Sequence, residues 1–160
     1  MANTMQSGHL LFLVLFLVLP TGIVCPGCST DVEIPGATSL CFLFSGVGLT
    51  FFEANALCEH MSYEPMYADT QDTETNLLSA LMIHGVEGDY WLGGNDLFVE
   101  GVWYWHDFEY FINQQSYDNW AEGRPVYDKK SNCLYIRFDG STTMWYDGEC
   151  SSEKFAVCYN

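Results

Sequence analysis

Seven cysteines in a chain of 160 residues are the feature that most restricts the possible folds. Cysteine at this density in a short chain is typical of extracellular domains, in which disulfides add stability that a small core does not supply. The cysteines from Cys28 onward form an even set, as a closed disulfide framework requires. They are Cys28, Cys41, Cys58, Cys133, Cys150 and Cys158. The chain is therefore expected to fold in an oxidising compartment.

The amino-terminal segment also predicts secretion. Residues 10–19 are ten uninterrupted apolar residues, followed by Pro20. A transmembrane helix needs about 20 apolar residues, whereas the apolar region of a signal peptide has about 7–15. We expect a signal peptide over residues 1–25, cut after Cys25 or Gly27, and one mature domain over residues 28–160. Either cut removes Cys25, and an uncleaved membrane anchor is the alternative.

The charge of the chain excludes several classes of protein. Acidic residues number 21 and basic residues 5, which gives a formal net charge of -16. Nucleic-acid binding depends on clustered Lys and Arg, so no nucleic-acid partner is expected, and neither is docking on anionic lipid. The sequence also has no nucleophile elbow and no glycine-rich phosphate loop before a helix, so we do not expect an enzyme.

Two amphipathic helices are predicted in the first half of the chain. Thr50 and Glu53 form a capping box, and apolar residues then recur at helical spacing from Phe51 to Met61. The second helix is expected over residues 73–84, capped by Asp72 or Thr73. Its apolar face is predicted to consist of Leu77, Leu78, Leu81 and Met82.

The second half of the chain predicts short strands joined by turns. The expected strands cover residues 90–92, 102–105, 134–138, 144–146 and 155–159. Residues 107–132 are polar and aromatic and have no clear period. A loop of this length in a compact domain is usually functional or disordered.

Several motifs occur along the chain in a fixed order. They are an inward Cys58 on a helix, Trp91-Leu92-Gly93-Gly94, Glu100-Gly101-Val102-Trp103, Asn119-Trp120, Gly123-Arg124-Pro125, Cys133, Trp145-Tyr146-Asp147, Cys150 and Phe155-Ala156-Val157-Cys158. Together they resemble the C-type lectin-like domain over nearly all of residues 28–160. The resemblance implies an α+β fold in which two helices pack on short antiparallel strands, with a long loop excursion and disulfide staples. The pattern around Trp91 looks most like small secreted arthropod lectins of innate immunity.

The resemblance also implies the disulfide pairing. It pairs Cys58 with Cys158 and Cys133 with Cys150. It adds the amino-terminal pair of the longer form of the family, Cys28–Cys41. Bridges that close long loops stabilise most in the chain-entropy model, so the domain is expected to depend on them.

The calcium site that bridges sugar in this family is degraded in this sequence. The family places a Glu-Pro-Asn or Gln-Pro-Asp triplet where this chain has Arg124-Pro125-Val126. Ser131 and Tyr146 replace an acid and an asparagine, and Asp147 alone is kept. Ca²⁺ takes about 6–8 oxygen ligands, whereas Arg124 carries no acceptor and a fixed positive charge. Calcium-bridged sugar binding of the usual kind is therefore not expected.

A second, auxiliary calcium position of the family retains more of its ligand residues in this sequence. By resemblance Asp96, Glu100 and Asn132 match its ligands, so Ca²⁺ is a candidate cofactor there. Such an ion would stabilise the long loop and would not contact sugar. The alternative is that Asp96 and Glu100 form a turn that holds loop amides.

Two classes of function remain for the mature domain. The first is a secreted lectin that binds glycans, including microbial glycans, through the long loop without the usual calcium. The second is a calcium-independent module that binds a protein ligand, and either could form oligomers. In both cases the resemblance places the ligand-binding residues at Arg124, Val126, Tyr127, Tyr146 and Asp147, with Tyr and Arg as favoured contact residues.

Overall fold

The computed structural model describes residues 32–33, 40–84, 86–105, 111–112 and 117–160. Within these residues the chain forms two helices, α1 (Phe51–His60) and α2 (Gln71–His84). The strands are β1 (Val32–Glu33), β2 (Cys41–Phe44), β3 (Glu64–Pro65), β4 (Gly88–Asn95), β5 (Trp103–Trp105), β6 (Phe111–Ile112), β7 (Cys133–Phe138), β8 (Thr143–Gly148) and β9 (Phe155–Tyr159). The predicted signal peptide, its cleavage sites, Cys25 and Cys28 lie outside the described residues.

Helix α1 begins where the sequence predicts. Thr50 Oγ1 accepts a hydrogen bond from the Glu53 amide, and Glu53 Oε2 accepts one from the Thr50 amide, which completes the capping box. The buried face consists of Phe51, Ala54, Asn55 and Cys58. Met61 lies past the end of the helix and is 46% exposed, so the predicted apolar face extends one position too far.

Helix α2 begins two residues earlier than predicted, and its cap is Thr70. Thr70 Oγ1 accepts the Thr73 amide at 3.1 Å, and Thr73 Oγ1 accepts the Thr70 amide at 2.9 Å. This reciprocal pair satisfies two amides of the first turn, so Asp72 and Thr73 lie inside the helix. Met82, which we placed on the apolar face, is 59% exposed.

The strands form one mixed sheet around β4 and β9. β4 pairs with β5 and β7 in antiparallel orientation and with β9 in parallel orientation. β7 continues into β8 through a turn, and β2 and β3 pair with β9. The fold is therefore α+β with two helices, as predicted, although the β4–β9 pair is parallel.

The two faces of β4 and β7 bury different clusters. One face carries the larger core, which includes Leu77, Leu81, Leu134 and Trp145. The other face packs a smaller cluster under α1, in which Phe51 contacts Trp91 edge-on at 5.6 Å between ring centroids. Both faces of the sheet centre are thus covered, so β4 and β7 are buried along most of their length.

Two disulfides join these elements. Cys58–Cys158 links α1 to β9, and Cys133–Cys150 links the start of β7 to the segment after β8. Both are the pairs that the resemblance implies. Cys41 is also disulfide-bonded. The Cys28 half of the expected Cys28–Cys41 pair lies outside the described residues. None of the helices described here is both long and apolar enough to cross a bilayer.

Candidate functional site

The segment that leads to Arg124 is fixed to the sheet by backbone hydrogen bonds. The Trp145 amide donates to the Asn119 carbonyl at 2.8 Å, and the Ala121 amide donates to the Trp145 carbonyl at 3.0 Å. The Trp120 ring packs edge-on against the Trp145 ring at 5.7 Å between centroids. Residues 119–121 therefore behave as an extra strand on β8 and bring Arg124 to its end.

The Glu74 side chain holds the same segment through hydrogen bonds from α2. Its side chain is 4% exposed and accepts hydrogen bonds from Asn119 Nδ2, Thr143 Oγ1 and Trp145 Nε1 at 2.7–3.0 Å. Glu74 also lies in the first turn of α2, where the helix dipole favours a negative charge. A single buried carboxylate thus joins α2, β8 and the start of the candidate site.

Arg124, which the resemblance aligns with the family's sugar-bridging calcium site, forms an ion pair with Asp147. Arg124 Nη1 donates to Asp147 Oδ1 at 3.0 Å, and the Val126 amide donates to Asp147 Oδ2 at 2.9 Å. The Asp147 side chain is fully buried, whereas the Arg124 side chain is 33% exposed. Both oxygens of the Asp147 carboxylate are therefore engaged within the chain.

Tyr146 completes this arrangement, and Tyr127 lies apart from it. The Arg124 guanidinium carbon lies 5.7 Å from the centroid of the Tyr146 ring, within cation–π range. Tyr127 is 80% exposed, and its ring lies against Gly101. Gly101 has φ +77°, and a Cβ there would come within 2.7 Å of Tyr127 Cε2, so this close approach requires glycine.

Ser131, which stands where the family has an acid, is held in a turn. Its amide and the Lys130 amide both donate to Asp128 Oδ1 at 2.8 Å. Ser131 Oγ donates to Asp128 Oδ2 at 3.3 Å. These amides lower the pKa of Asp128, whose carboxylate is thus committed to the turn.

An open cleft of about 700 Å³ lies beside Arg124, between β5, β6 and the segment that starts at Asp118. Its apolar wall includes Trp103, Phe111 and Trp120, and its polar groups include Asp118 and Arg124. Phe111 is 55% exposed. A cleft of this size with aromatic walls and a few polar groups is typical of a small-ligand site.

The three residues of the auxiliary calcium position are brought close by backbone pairing. The Asp96 amide donates to the Asn132 carbonyl at 3.1 Å. Asp96 Oδ2 accepts the Gly101 amide at 2.7 Å, which closes the turn that carries Glu100. Asp96 Oδ1, Glu100 Oε1 and Asn132 Oδ1 are buried oxygens that accept no hydrogen bond from the described part of the chain. Oxygens of this kind are the ligands that Ca²⁺ prefers.

The electrostatics at this position favour a bound positive charge. Burial, together with the neighbouring Glu100 and Asp147 carboxylates, raises the pKa of Asp96 to about 6. Among the described residues, no group of three His, Cys, Asp or Glu side chains is placed to hold a metal alone. The donor set therefore fits a hard cation only with the Asn132 amide oxygen included.

Comparison with known proteins agrees with this architecture. The family model described as the lectin C-type domain matches residues 47–160. The chain belongs to the C-type lectin domain family. C-type lectins in general are recognition domains, not enzymes, which agrees with the absence of a catalytic motif noted above.

Two relatives and two solved structures illustrate the match. Perlucin from Haliotis laevigata is 27% identical over 121 residues, which cover 74% of each chain. E-selectin from Oryctolagus cuniculus is 32% identical over 120 residues, which are 72% of this chain but 21% of E-selectin. The mouse scavenger receptor C-type lectin carbohydrate-recognition domain has a TM-score of 0.68 at 23% identity, over 85% of this chain and 95% of that one. The lectin CEL-I from Cucumaria echinata has a TM-score of 0.66 at 21% identity, over 82% and 96%.

The structure brings four of the five residues predicted to bind ligand together, and it shows two features that the sequence analysis missed. Arg124, Val126, Tyr146 and Asp147 lie together, whereas Tyr127 lies toward the Gly101 turn. Glu74 was not singled out, although its spacing from Leu77, Leu78 and Leu81 places it on the inward face of α2. A glutamate at such a position is a signal for a buried polar network.

Proposed function

We propose that this C-type lectin domain is a secreted recognition protein that binds carbohydrate at the Arg124 cleft without a bridging calcium ion. The observation that supports it best is the Arg124–Asp147 ion pair. A guanidinium now neutralises the carboxylate that a calcium ion would otherwise share with sugar. Arg124 keeps donors for a ligand because a guanidinium has five N–H groups.

The chemistry of the cleft supports a sugar ligand. Phe111 and the partly buried Trp120 offer apolar surface to the C–H face of a sugar ring, whereas Trp103, at 4% exposed, adds little. Arg124 supplies donors and Asp118 supplies acceptors for hydroxyl groups at its rim. Carbohydrate recognition is also the property named for the similar scavenger-receptor domain. Microbial glycans, and thereby innate recognition, are the ligands we favour.

We further propose that Asp96, Glu100 and Asn132 hold one Ca²⁺ that stabilises the adjoining turn. The support is the set of three buried oxygens without hydrogen bonds, together with the raised pKa of Asp96. When bound, the ion supplies positive charge that lets both carboxylates stay ionised. Asp96 then continues to accept the Gly101 amide and so keeps the turn closed.

The remaining expectations complete this proposal. The amino-terminal signal peptide, the Cys28–Cys41 pair of the longer family form and the extracellular setting agree with a domain held by disulfides. The small secreted layout resembles arthropod lectins. Modest affinity at one site would favour a multivalent assembly, because linked sites gain avidity without new contacts.

A glycan array with purified protein tests the main proposal. It is run in millimolar calcium and again with excess chelator, using the wild type, Phe111→Ala and Phe52→Ala. Phe111 lines the cleft and Phe52 lies on α1, yet both are more than half exposed, so the two variants are matched. We expect glycan binding to survive the chelator, to fall about tenfold or more in Phe111→Ala, and to be unchanged in Phe52→Ala.

Two results would contradict the proposal. Glycan binding that disappears entirely with chelator would mean that an ion bridges the sugar after all. No binding to any glycan, with both variants folded, would favour the protein-binding alternative.

One observation favours that second function. Leu97, Phe98 and Val99 form an apolar turn between β4 and β5, and Phe98 is 77% exposed. Exposed apolar groups in one place are typical of protein–protein contact sites. If the ligand is a protein, the immobilised wild-type domain should capture it from extracellular fluid. Phe98→Ser should abolish this capture, whereas Phe111→Ala should not. The reverse order of effects would support the glycan cleft.

A further inference from the structure

The scarce positive charges of this acidic protein are concentrated on one surface. Only five Lys and Arg residues oppose 21 Asp and Glu residues. Three of the five, Arg124, Arg137 and Lys154, lie over a row of aromatic rings at the β7–β8 hairpin. Two of the three form ion pairs, Arg124 with Asp147 and Arg137 with Asp89, which offsets the repulsion between like charges.

The pairing register of β4, β7 and β8 explains why these aromatic rings lie in a row. Trp91 on β4 pairs with Tyr135 on β7, which pairs with Tyr146 on β8, so the three side chains share one face of the sheet. In the next row, Asp89 pairs with Arg137, which pairs with Met144. We call the surface formed by Tyr135, Arg137, Met144, Tyr146 and Lys154 the outer hairpin face.

Neighbouring cations share an aromatic ring along this face. Lys154 Nζ lies 4.4 Å from the Tyr135 ring centroid, and Arg137 Cζ lies 5.9 Å from the same centroid. Arg137 Cζ also lies 4.8 Å from the Tyr146 centroid, and the Tyr135 and Tyr146 rings stack at 5.5 Å. Arg124 continues the series on the far side of Tyr146.

The charges on this face are held in place but remain open to a partner. Asp89 accepts from Arg137 Nε and Nη2 at 2.8 and 3.0 Å, which uses two of the five guanidinium N–H groups. The Arg137 side chain is 50% exposed, and Met144 beside it is 45% exposed. Burial lowers the pKa of Lys154, which means that its charged form lacks full solvation. A neighbouring anion would relieve that cost.

We propose that the outer hairpin face is a second binding surface, and that it binds sulfated polysaccharide. Guanidinium groups form paired hydrogen bonds with oxyanions, and they are weakly hydrated when stacked on rings. Half-buried Tyr146 lies between Arg137 and Arg124, and Met144 lies beside Arg137, so both suit the C–H surface of a sugar chain. A row of fixed cations matches the repeated fixed charges of a sulfated polymer.

The large negative charge of the protein does not prevent this binding at physiological ionic strength. The Debye length there is about 8 Å, so a ligand on the face interacts mainly with charges beside it. A nucleic-acid strand carries repeated charges too, but its affinity depends on many simultaneous phosphate contacts. The face has two cations, with Arg124 beside it, and so offers few phosphate contacts; binding to nucleic acid is therefore an outcome of the test that would contradict the proposal.

The test measures binding to immobilised heparin, as a sulfated polysaccharide, at physiological salt. Uncharged dextran and single-stranded poly-dT serve as comparison surfaces. Met144→Glu places a negative charge beside Arg137 without removing a buried contact, and Met144→Gln is its uncharged control. We expect heparin binding by the wild type, a loss of about tenfold or more in Met144→Glu, and less than about threefold change in Met144→Gln.

The two lysines away from the face give a matched charge control. Arg137→Gln combined with Lys154→Gln removes two cations from the face, whereas Lys129→Gln combined with Lys130→Gln removes two from the loop before Ser131. The first pair should abolish heparin binding and the second should reduce it by less than about threefold. Equal losses in the two pairs would mean diffuse attraction and would overturn the proposal.

Three other outcomes would also overturn it. These are no heparin binding by the wild type, equal binding to poly-dT, and heparin binding unaffected by Met144→Glu. The result is separable from the Arg124 cleft, because Phe111→Ala should leave heparin binding intact. Met144→Glu should likewise leave the binding of uncharged glycans intact.

Discussion

Arg124 Nη1 lies 3.0 Å from Asp147 Oδ1, and this contact joins a partly exposed guanidinium to a carboxylate with no exposed surface. The pair spans 23 residues of sequence and connects the end of the long loop to β8. A metal ion at this position would have to displace the guanidinium and the Val126 amide. The ion pair therefore fixes the segment around Arg124 to β8 without a metal ion.

Removing Arg124 should destabilise the fold. Arg124→Ala removes the guanidinium from the buried Asp147 carboxylate, which keeps the hydrogen bond from the Val126 amide, so we expect the free energy of unfolding to fall by about 1–3 kcal/mol. Arg137→Ala breaks the exposed pair with Asp89 and should cost at most about 1 kcal/mol. Urea unfolding of both variants measures the contrast. Equal costs would show that the burial of Asp147 does not matter.

Stability should depend on pH through Asp96. Its folded pKa of about 6 exceeds the ordinary value of 3.8, so the folded state binds this proton more tightly. The resulting stabilisation is fully present below about pH 4 and is lost as pH rises through 6. At about 1.4 kcal/mol per pKa unit, the rise from 3.8 to about 6 gives about 3 kcal/mol of pH dependence, of which about 2 kcal/mol falls between pH 4.5 and 7.5 and should be lost in Asp96→Asn. Urea unfolding in chelator from pH 4.5 to 7.5 measures it.

Calcium should reverse that dependence. An ion held by Asp96, Glu100 and Asn132 requires ionised carboxylates, so its stabilising effect grows as pH rises. Millimolar calcium should therefore raise the unfolding free energy of the wild type at pH 7.5 and leave Asp96→Asn nearly unchanged. Equal stabilisation of both proteins would place any bound calcium elsewhere.

Glu74 should support both the fold and the cleft. Glu74→Ala leaves the buried donors on Thr143 and Trp145 without their acceptor, whereas Asn119 Nδ2 keeps the Thr143 carbonyl, and we expect a cost of about 2–4 kcal/mol. Glu74→Gln keeps one acceptor oxygen and should cost less. Glycan binding should weaken in Glu74→Gln while its circular dichroism stays native, because Asn119 begins the segment that carries Arg124. Unchanged glycan affinity would restrict Glu74 to a purely structural role.

The sequence predicted the scaffold well because the scaffold depends on local patterns. The capping box at Thr50, the helical spacing in α2 and the alternation around Ile136 are each contained in a few neighbouring residues. The four cysteines from Cys58 onward could be paired by resemblance. The end of α2 followed its apolar period, and only its start was placed two residues late, because the Thr70–Thr73 exchange has no apolar signature.

The site was harder to predict because its contacts are long-range. The sequence showed that Arg124 removes a calcium ligand, but not that its guanidinium bonds the remaining one, Asp147. Likewise, the strand predicted over residues 134–138 gave no sign that Tyr135 would be buried, yet it is 8% exposed, because α1 and Lys154 cover that face. Distances across the sheet decide both outcomes, and periodicity in the sequence does not encode them.

The mature protein should contain a third disulfide, between Cys28 and Cys41. Cys41 is bonded, and the other two bridges account for four cysteines. Peptide mapping of the secreted protein under non-reducing conditions should recover Cys28 linked to Cys41, with Cys25 removed. A peptide in which Cys25 is linked to Cys28 or Cys41 would contradict both the pairing and the cleavage site.

Restoring the family triplet should not restore calcium-dependent sugar binding. Arg124→Glu combined with Val126→Asn adds two oxygen-bearing side chains next to Asp147. Ca²⁺ needs about 6–8 oxygens. Ser131 and Tyr146 would still leave the shell incomplete, and Ser131 is held in the Asp128 turn. We expect no chelator-sensitive binding to immobilised mannose in millimolar calcium.

Adding Ser131→Glu and Tyr146→Asn to that double variant tests the ligand count directly. These changes supply the two missing oxygen donors, so the quadruple variant should gain mannose binding that chelator abolishes. Its folding must be checked by urea unfolding, because Tyr146 stacks on Tyr135 and contacts Arg137. Tight, chelator-sensitive mannose binding in the double variant alone would show that Ser131 and Tyr146 are not what keeps calcium out, and that the Arg124–Asp147 pair excludes it by itself.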